Sequence, residues 1–244
     1  MPMRATEGVI LLHGLCRTSA SMSKMEKALL KAGYYVENID YPSRSASIEE
    51  LSDEAIDRGL SEPNMQLCSC VHFVTHSLGG ILVRSYFKRH SIKRLGRVVM
   101  LGPPNRGSEV VDQFRGWWLF RKLNGPAGSE LGTNADSTPN QLGPVNFELG
   151  VIAGDRSMNW INSLLIRGRD DGKVSVERAQ VGGMNELRVV HVTHPFLMKN
   201  RGAIEDVLRF LKHGQFKSYT ATGNSSTRGM CSNASPQESL TCEL

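Results

Sequence analysis

The sequence lacks most of what would tie a chain to a membrane, a metal or a disulfide scaffold. No stretch of the 244 residues approaches the roughly 18 consecutive apolar residues that a membrane span needs, so stable insertion is not expected. The apolar run Val9-Ile10-Leu11-Leu12 ends at once in His13-Gly14, so no export signal is expected and a cytoplasmic location is. Five cysteines, an odd number, fit a reduced compartment better than a disulfide framework. Cys68 and Cys70 stand too close for a CxxC motif. No His, Cys or Asp cluster has metal-ligand spacing, no glycine-rich phosphate loop occurs, and no internal repeat is visible. Neither a metal nor another cofactor is expected.

Acidic residues are missing from one stretch. None lies between Glu62 and Glu109, whereas Arg84, Lys88, Arg89, Lys93, Arg94, Arg97 and Arg106 do, within a chain of net charge +5. Such a surface suits anionic partners, but a solvated helix face and loop explain it as well, and no nucleic-acid role is assigned.

What is present is ordinary for a globular protein: 40% hydrophobic and 22% charged residues, enough to bury a sizeable core in one large domain or two small ones. Strand and helix patterns alternate, which predicts an α/β fold with a mostly parallel sheet covered by helices on both faces. Strands are expected at Gly8–Leu12, Tyr34–Ile39, Cys70–Val74, Arg97–Leu101, Phe147–Ala153 and Leu187–Val192. Ser23 and Glu26 suggest a capping box for a helix stopped at Gly33, and a second helix opens at Ser47-Ile48-Glu49-Glu50. The helix after Ser77 presents Arg84, Lys88 and Arg89 for a solvated face. A closing helix carries Ile204, Val207, Leu208 and Leu211 and ends at Gly214.

Two segments break the rhythm. Residues 105–146 are rich in Gly, Asn, Pro and Ser but carry Trp117, Trp118 and Phe120, as a small cap over a site would, with those aromatics against the substrate. Residues 215–244 have little apolar content and are expected to be a disordered tail, leaving 1–214 as a single domain.

The chemistry centres on Thr75-His76-Ser77-Leu78-Gly79-Gly80. A strand precedes Ser77 and a helix follows it, so the serine sits on an abrupt turn of the kind that lifts a nucleophile clear of a sheet. A serine hydroxyl needs a base and an orienting acid. Arg169-Asp170-Asp171-Gly172 supplies acids ahead of a glycine turn, and His191-Val-Thr-His194-Pro supplies histidines after the last strand. Asp171 is favoured by its neighbour Gly172, with Asp170 read as a solvated neighbour and Asp155 as the alternative acid. His194 is favoured because Pro195 places it on a loop beyond the strand end, whereas His191 continues the strand. His13, His72 and His76 are read as structural or loop histidines. Backbone N–H groups of Leu78 and, past the turn at Gly14, of Leu15 would receive an oxyanion.

The combination LLHGL, THSLGG, LGPPNRGS, DDGKVSVE and THPFLM resembles the α/β-hydrolase-fold esterases and lipases of the bacterial triacylglycerol-lipase-like group, over about residues 8–213. The resemblance implies Ser77, Asp171 and His194 as a triad, with Leu15 and Leu78 as oxyanion donors. One departure is Thr75, where the family usually has glycine. The expected function is hydrolysis of a small-molecule ester or lipid through an acyl-enzyme. A thioesterase or acyltransferase would use the same residues, and a silent scaffold of this fold is the alternative from another class. Oligomeric state is not indicated.

Overall fold

The computed structural model describes residues 6–114, 118–157 and 170–216. β-Branched and apolar runs form six strands: β1 (Glu7–Leu12), β2 (Tyr35–Ile39), β3 (Cys70–His76), β4 (Leu95–Leu101), β5 (Leu149–Gly154) and β6 (Glu186–Val190). All pair in parallel, in the order β2-β1-β3-β4-β5-β6. Val9 to Leu12 and Val98 to Leu101 are buried without interruption, as expected of strands covered on both faces.

The helices are α1 (Ser23–Lys31), α2 (Ile48–Ser61), α3 (Pro63–Gln66), α4 (Leu78–Arg89), α5 (Glu109–Phe114), α6 (Trp118–Ser129), α7 (Thr138–Gln141) and α8 (Arg201–His213). Ile48, Leu51 and Ile56 of α2 and Ile81 and Leu82 of α4 fill one face of the sheet. Met25 and Leu29 of α1 and Val207, Phe210 and Leu211 of α8 fill the other. Past Gly214 the chain still packs, with Phe216 buried against Phe210 at 4.9 Å between ring centroids. The remainder of the expected tail lies outside the described residues. No helix among the described residues is long and apolar enough to cross a membrane.

Local expectations are corrected at several places. The capping box forms at Ser47, where Ser47 and Glu50 cap one another, and not at Ser23. A 3-10 turn over Ser19–Met22 runs straight into α1, and Glu26 instead accepts from Asn38 at 2.9 Å. Arg84 is not on a solvated face. It is 4% exposed, and its guanidinium donates to Asn105 O, Asn105 Oδ1, Pro139 O and Gly143 O at 2.7–3.2 Å, tying residues 105–146 to α4. Burial lowers its pKa to about 10. β6 ends at Val190, so His191 stands outside the strand.

Candidate active site

The loops at the carboxyl ends of β1, β3 and β6, and the segment between β5 and β6, converge where parallel sheets build their sites. From Val71 to Tyr86 every residue except Ser77 is buried. Ser77 has φ 52° and ψ −117°, a left-handed region that costs a non-glycine residue about 1–3 kcal/mol. The Ser77 N–H donates to Leu101 O at 2.9 Å, so the end of β4 holds the turn in place. Behind it, a Cβ on Gly79 would come within 2.7 Å of Leu12 O, so only glycine lets α4 approach β1 this closely. Leu78, first in the helix, has an N–H with no intrahelical acceptor.

His194 is held at three points. Its Nδ1 lies 2.7 Å from Asp171 Oδ2, its N–H donates to Asp171 O at 2.9 Å, and its carbonyl accepts from His76 Nε2 at 3.1 Å. The other oxygen of Asp171 accepts from the N–H groups of Lys173 (3.0 Å) and Val174 (2.9 Å), across a turn in which Gly172 takes φ +95°. Asp171 and His194 are both buried. His194 opens a 3-10 turn, His194–Lys199, instead of lying on an irregular loop, because Pro195 is tolerated in a first helical turn.

The competing residues go elsewhere. Asp170 is buried, not solvated, and caps the turn through the Gly172 N–H at 2.7 Å. His191, 74% exposed, pairs with Asp155 at 2.9 Å. His13 is buried and stacks on Tyr41 at 4.1 Å, and His72 lies towards the far end of β3, 3.3 Å from Glu7. His76 is buried, and burial first, then the nearby His194, pushes its pKa well below the imidazole range. Its Nε2 must carry the proton given to His194 O, which leaves Nδ1 an acceptor without a partner among the described residues. In the β1 loop the left-handed residue is Cys16 (φ 56°) and not Gly14, where a Cβ would meet His76 Nδ1 at 2.7 Å.

No protein-family model matches the sequence, and a search of curated proteins gives no match. Solved structures do match. Lipase BlEst2 of Bacillus licheniformis, in its mature form, superposes with a TM-score of 0.69 at 20% identity over 88% of this chain and 95% of that one. Esterase Pf2001 of Pyrococcus furiosus gives 0.60 at 21% over 86% and 82%. Phospholipase PlaB of Legionella pneumophila gives 0.60 at 17%, over 86% of this chain but only 62% of that longer one. The chain has the α/β-hydrolase fold.

In this α/β-hydrolase fold Ser77 and His194 line one small cavity of about 80 Å³. Leu15 borders it from the β1 loop, Val174 from the acid turn, and Val110, Val111 and Leu131 from residues 105–146. Trp118 does not border it and is 72% exposed. Trp117 and the side chain of Phe120 lie outside the described residues. Two cations without a role in the sequence reading, Arg17 and, within DDGKVSVE, Lys173, border it as well. Among the described residues no group of three or more His, Cys, Asp or Glu side chains could hold a metal ion.

Proposed function

We propose that the protein hydrolyses carboxylic esters with Ser77 as nucleophile, His194 as base and Asp171 as the acid that orients it. The observation that carries this reading is the convergence of a strained, solvent-reachable serine and an aspartate-bound histidine on one cavity. Ser77 Oγ attacks the acyl carbon while His194 Nε2 takes its proton. The N–H groups of Leu15 and Leu78 stabilise the oxyanion. The acyl–oxygen bond then breaks and the leaving alcohol takes the proton from His194. Water, deprotonated by the same histidine, attacks the acyl-enzyme, releasing the carboxylic acid and returning the proton to Ser77. The lipase, phospholipase and esterase activities named for the matching structures agree with this chemistry.

A fluorophosphonate probe should label the wild type and fail on Ser77→Ala. His194→Ala should lose on the order of 10³-fold or more in kcat, as Ser77→Ala should, because triad members act as a unit. Asp171→Asn should lose somewhat less, and His191→Ala should stay within about tenfold of wild type. Turnover that survives in His194→Ala and vanishes in His191→Ala would reassign the base. The cavity is about 80 Å³, the share of only a few waters, and Val110, Val111 and Leu131 of residues 105–146 line part of it. Among p-nitrophenyl esters, acetate to butyrate should therefore exceed decanoate in kcat/KM.

A further inference from the structure

Arg17 lies two residues beyond Leu15 and Lys173 two beyond Asp171, and both side chains border the cavity that holds Ser77 and His194. Among the described residues neither side chain has an ion pair or a hydrogen bond. The two feel one another. Lys173 is exposed by surface area, yet protein atoms crowding its ammonium lower its pKa, and repulsion from Arg17 is the next cause, larger than the opposing pull of Asp171. Two like charges near one another, neither in an ion pair among the described residues and only partly offset by Asp171, favour an anion that relieves them.

Their place in the cavity tells which side of an ester they serve. Leu15, Val110, Val111, Leu131 and Val174 supply the cavity with apolar surface that suits an acyl chain, beside the polar Ser108 and Asn124. Arg17 also borders a second, larger cleft of about 1110 Å³, and is the one described residue that lines both. That cleft carries Arg44, Lys122 and Lys199 against one carboxylate, Asp40, which already accepts from the Ser19 N–H at 2.8 Å. A leaving alcohol directed from Ser77 into that cleft would meet Arg17, which lines both cavities.

We infer that the substrate carries an oxyanion, phosphate or carboxylate, on the alcohol side of its ester, bound between Arg17 and Lys173. This rests on the ester-hydrolase reading and adds the class of alcohol to it. Arg17 presents a planar fork suited to two oxygens of one anion, and Lys173 adds a point charge. A dianionic phosphate answers both cations more fully than a carboxylate.

The test compares matched pairs: 1-butyrylglycerol with its 3-phosphate, and propyl butyrate with 3-(butyryloxy)propanoate. In the wild type the ratio of kcat/KM, charged over neutral, should be about tenfold or more for the phosphate pair, as charge-assisted hydrogen bonds imply, and smaller for the carboxylate pair. Arg17→Gln combined with Lys173→Gln should bring both ratios towards one, while Lys173→Arg keeps them. Using ratios removes any general loss of activity in the variants. Equal cleavage of charged and neutral esters, or a preference that survives in the double variant, overturns the inference. Calorimetry with glycerol 3-phosphate on Ser77→Ala separates it from the ester reading. If no ester is turned over, yet Ser77→Ala binds glycerol 3-phosphate and the same protein lacking both cations does not, the anion site stands and the ester reading falls. Binding that ignores the two cations overturns the site.

Discussion

Thr75 puts a hydroxyl two residues ahead of Ser77 in a position with no exposure and no hydrogen-bond partner among the described residues. A buried hydroxyl without a partner keeps the full cost of leaving water, about 1–3 kcal/mol. Thr75→Val keeps the shape of the side chain and deletes that cost. The variant should melt a few degrees higher than the wild type; a lower melting temperature would mean that the hydroxyl has a partner after all. The glycine expected here from the resemblance is therefore not a geometric necessity in this chain. A β-branched residue fits, at the expense of one unpaired oxygen. The two cations beside Ser77 were invisible for a different reason. Arg17 and Lys173 matter through what surrounds them in space, and a single sequence marks no spatial neighbour.

At the scale of elements, the sequence was legible where periodicity and topology agree. The alternating strands and helices, the parallel sheet and the turn at Ser77 follow from apolar runs bounded by Gly and Pro. What escaped was decided by tertiary contacts. Arg84 looks like one more surface cation on α4, because its partners are backbone carbonyls of residues 105, 139 and 143 that no side-chain pattern announces. The short helices α5, α6 and α7 lie in a Gly- and Pro-rich stretch whose local signals read as loop; α6 is itself broken at Gly125-Pro126. The end of β6 was misplaced because Val192 continues the apolar run after the ladder has stopped. Arg84→Met should lower stability by about 2–4 kcal/mol, since it strips buried carbonyls of their donor. Arg84→Lys should recover little, because an ammonium cannot span the same carbonyls as a planar fork. A denaturant titration with an unchanged midpoint in Arg84→Met would show that the insertion holds without this anchor.

For the molecule as a whole, burial lowers the pKa of His13, His72 and His76 below the ordinary imidazole value of 6.5. Above that value neither the folded nor the unfolded chain protonates them, and they contribute no pH dependence. Below it the unfolded chain takes up protons that the folded one refuses, so stability falls with acid until the folded pKa values are reached. Each such histidine contributes up to about 1.4 kcal/mol per pH unit. The melting temperature should therefore drop as pH is lowered from about 6.5, before the bulk of the carboxylates titrate. His72→Asn, whose amide oxygen can still accept from the Arg97 N–H in place of Nδ1, should flatten that slope by one histidine's share. A slope that is the same in both proteins would remove His72 from the account.

Ser77 and His194 stand 194 − 77 = 117 positions apart, and they come from opposite sides of the β4–β5 seam. Between them the chain crosses an exposed stretch at Asn134, Ala135 and Asp136. A break after Ala135 would give one fragment with β1 to β4, Ser77 and both proposed oxyanion donors, and another with β5, β6, Asp171 and His194. Neither fragment holds all the residues of the proposed catalytic set. Their common border is a continuous parallel ladder, Val98 to Leu101 against Leu149 to Ile152, reinforced by Arg84 reaching across to residues 139 and 143. If the proposed hydrolysis holds, turnover on mixing the two pieces should rise with the product of their concentrations, making the protein a reporter of its own reassembly.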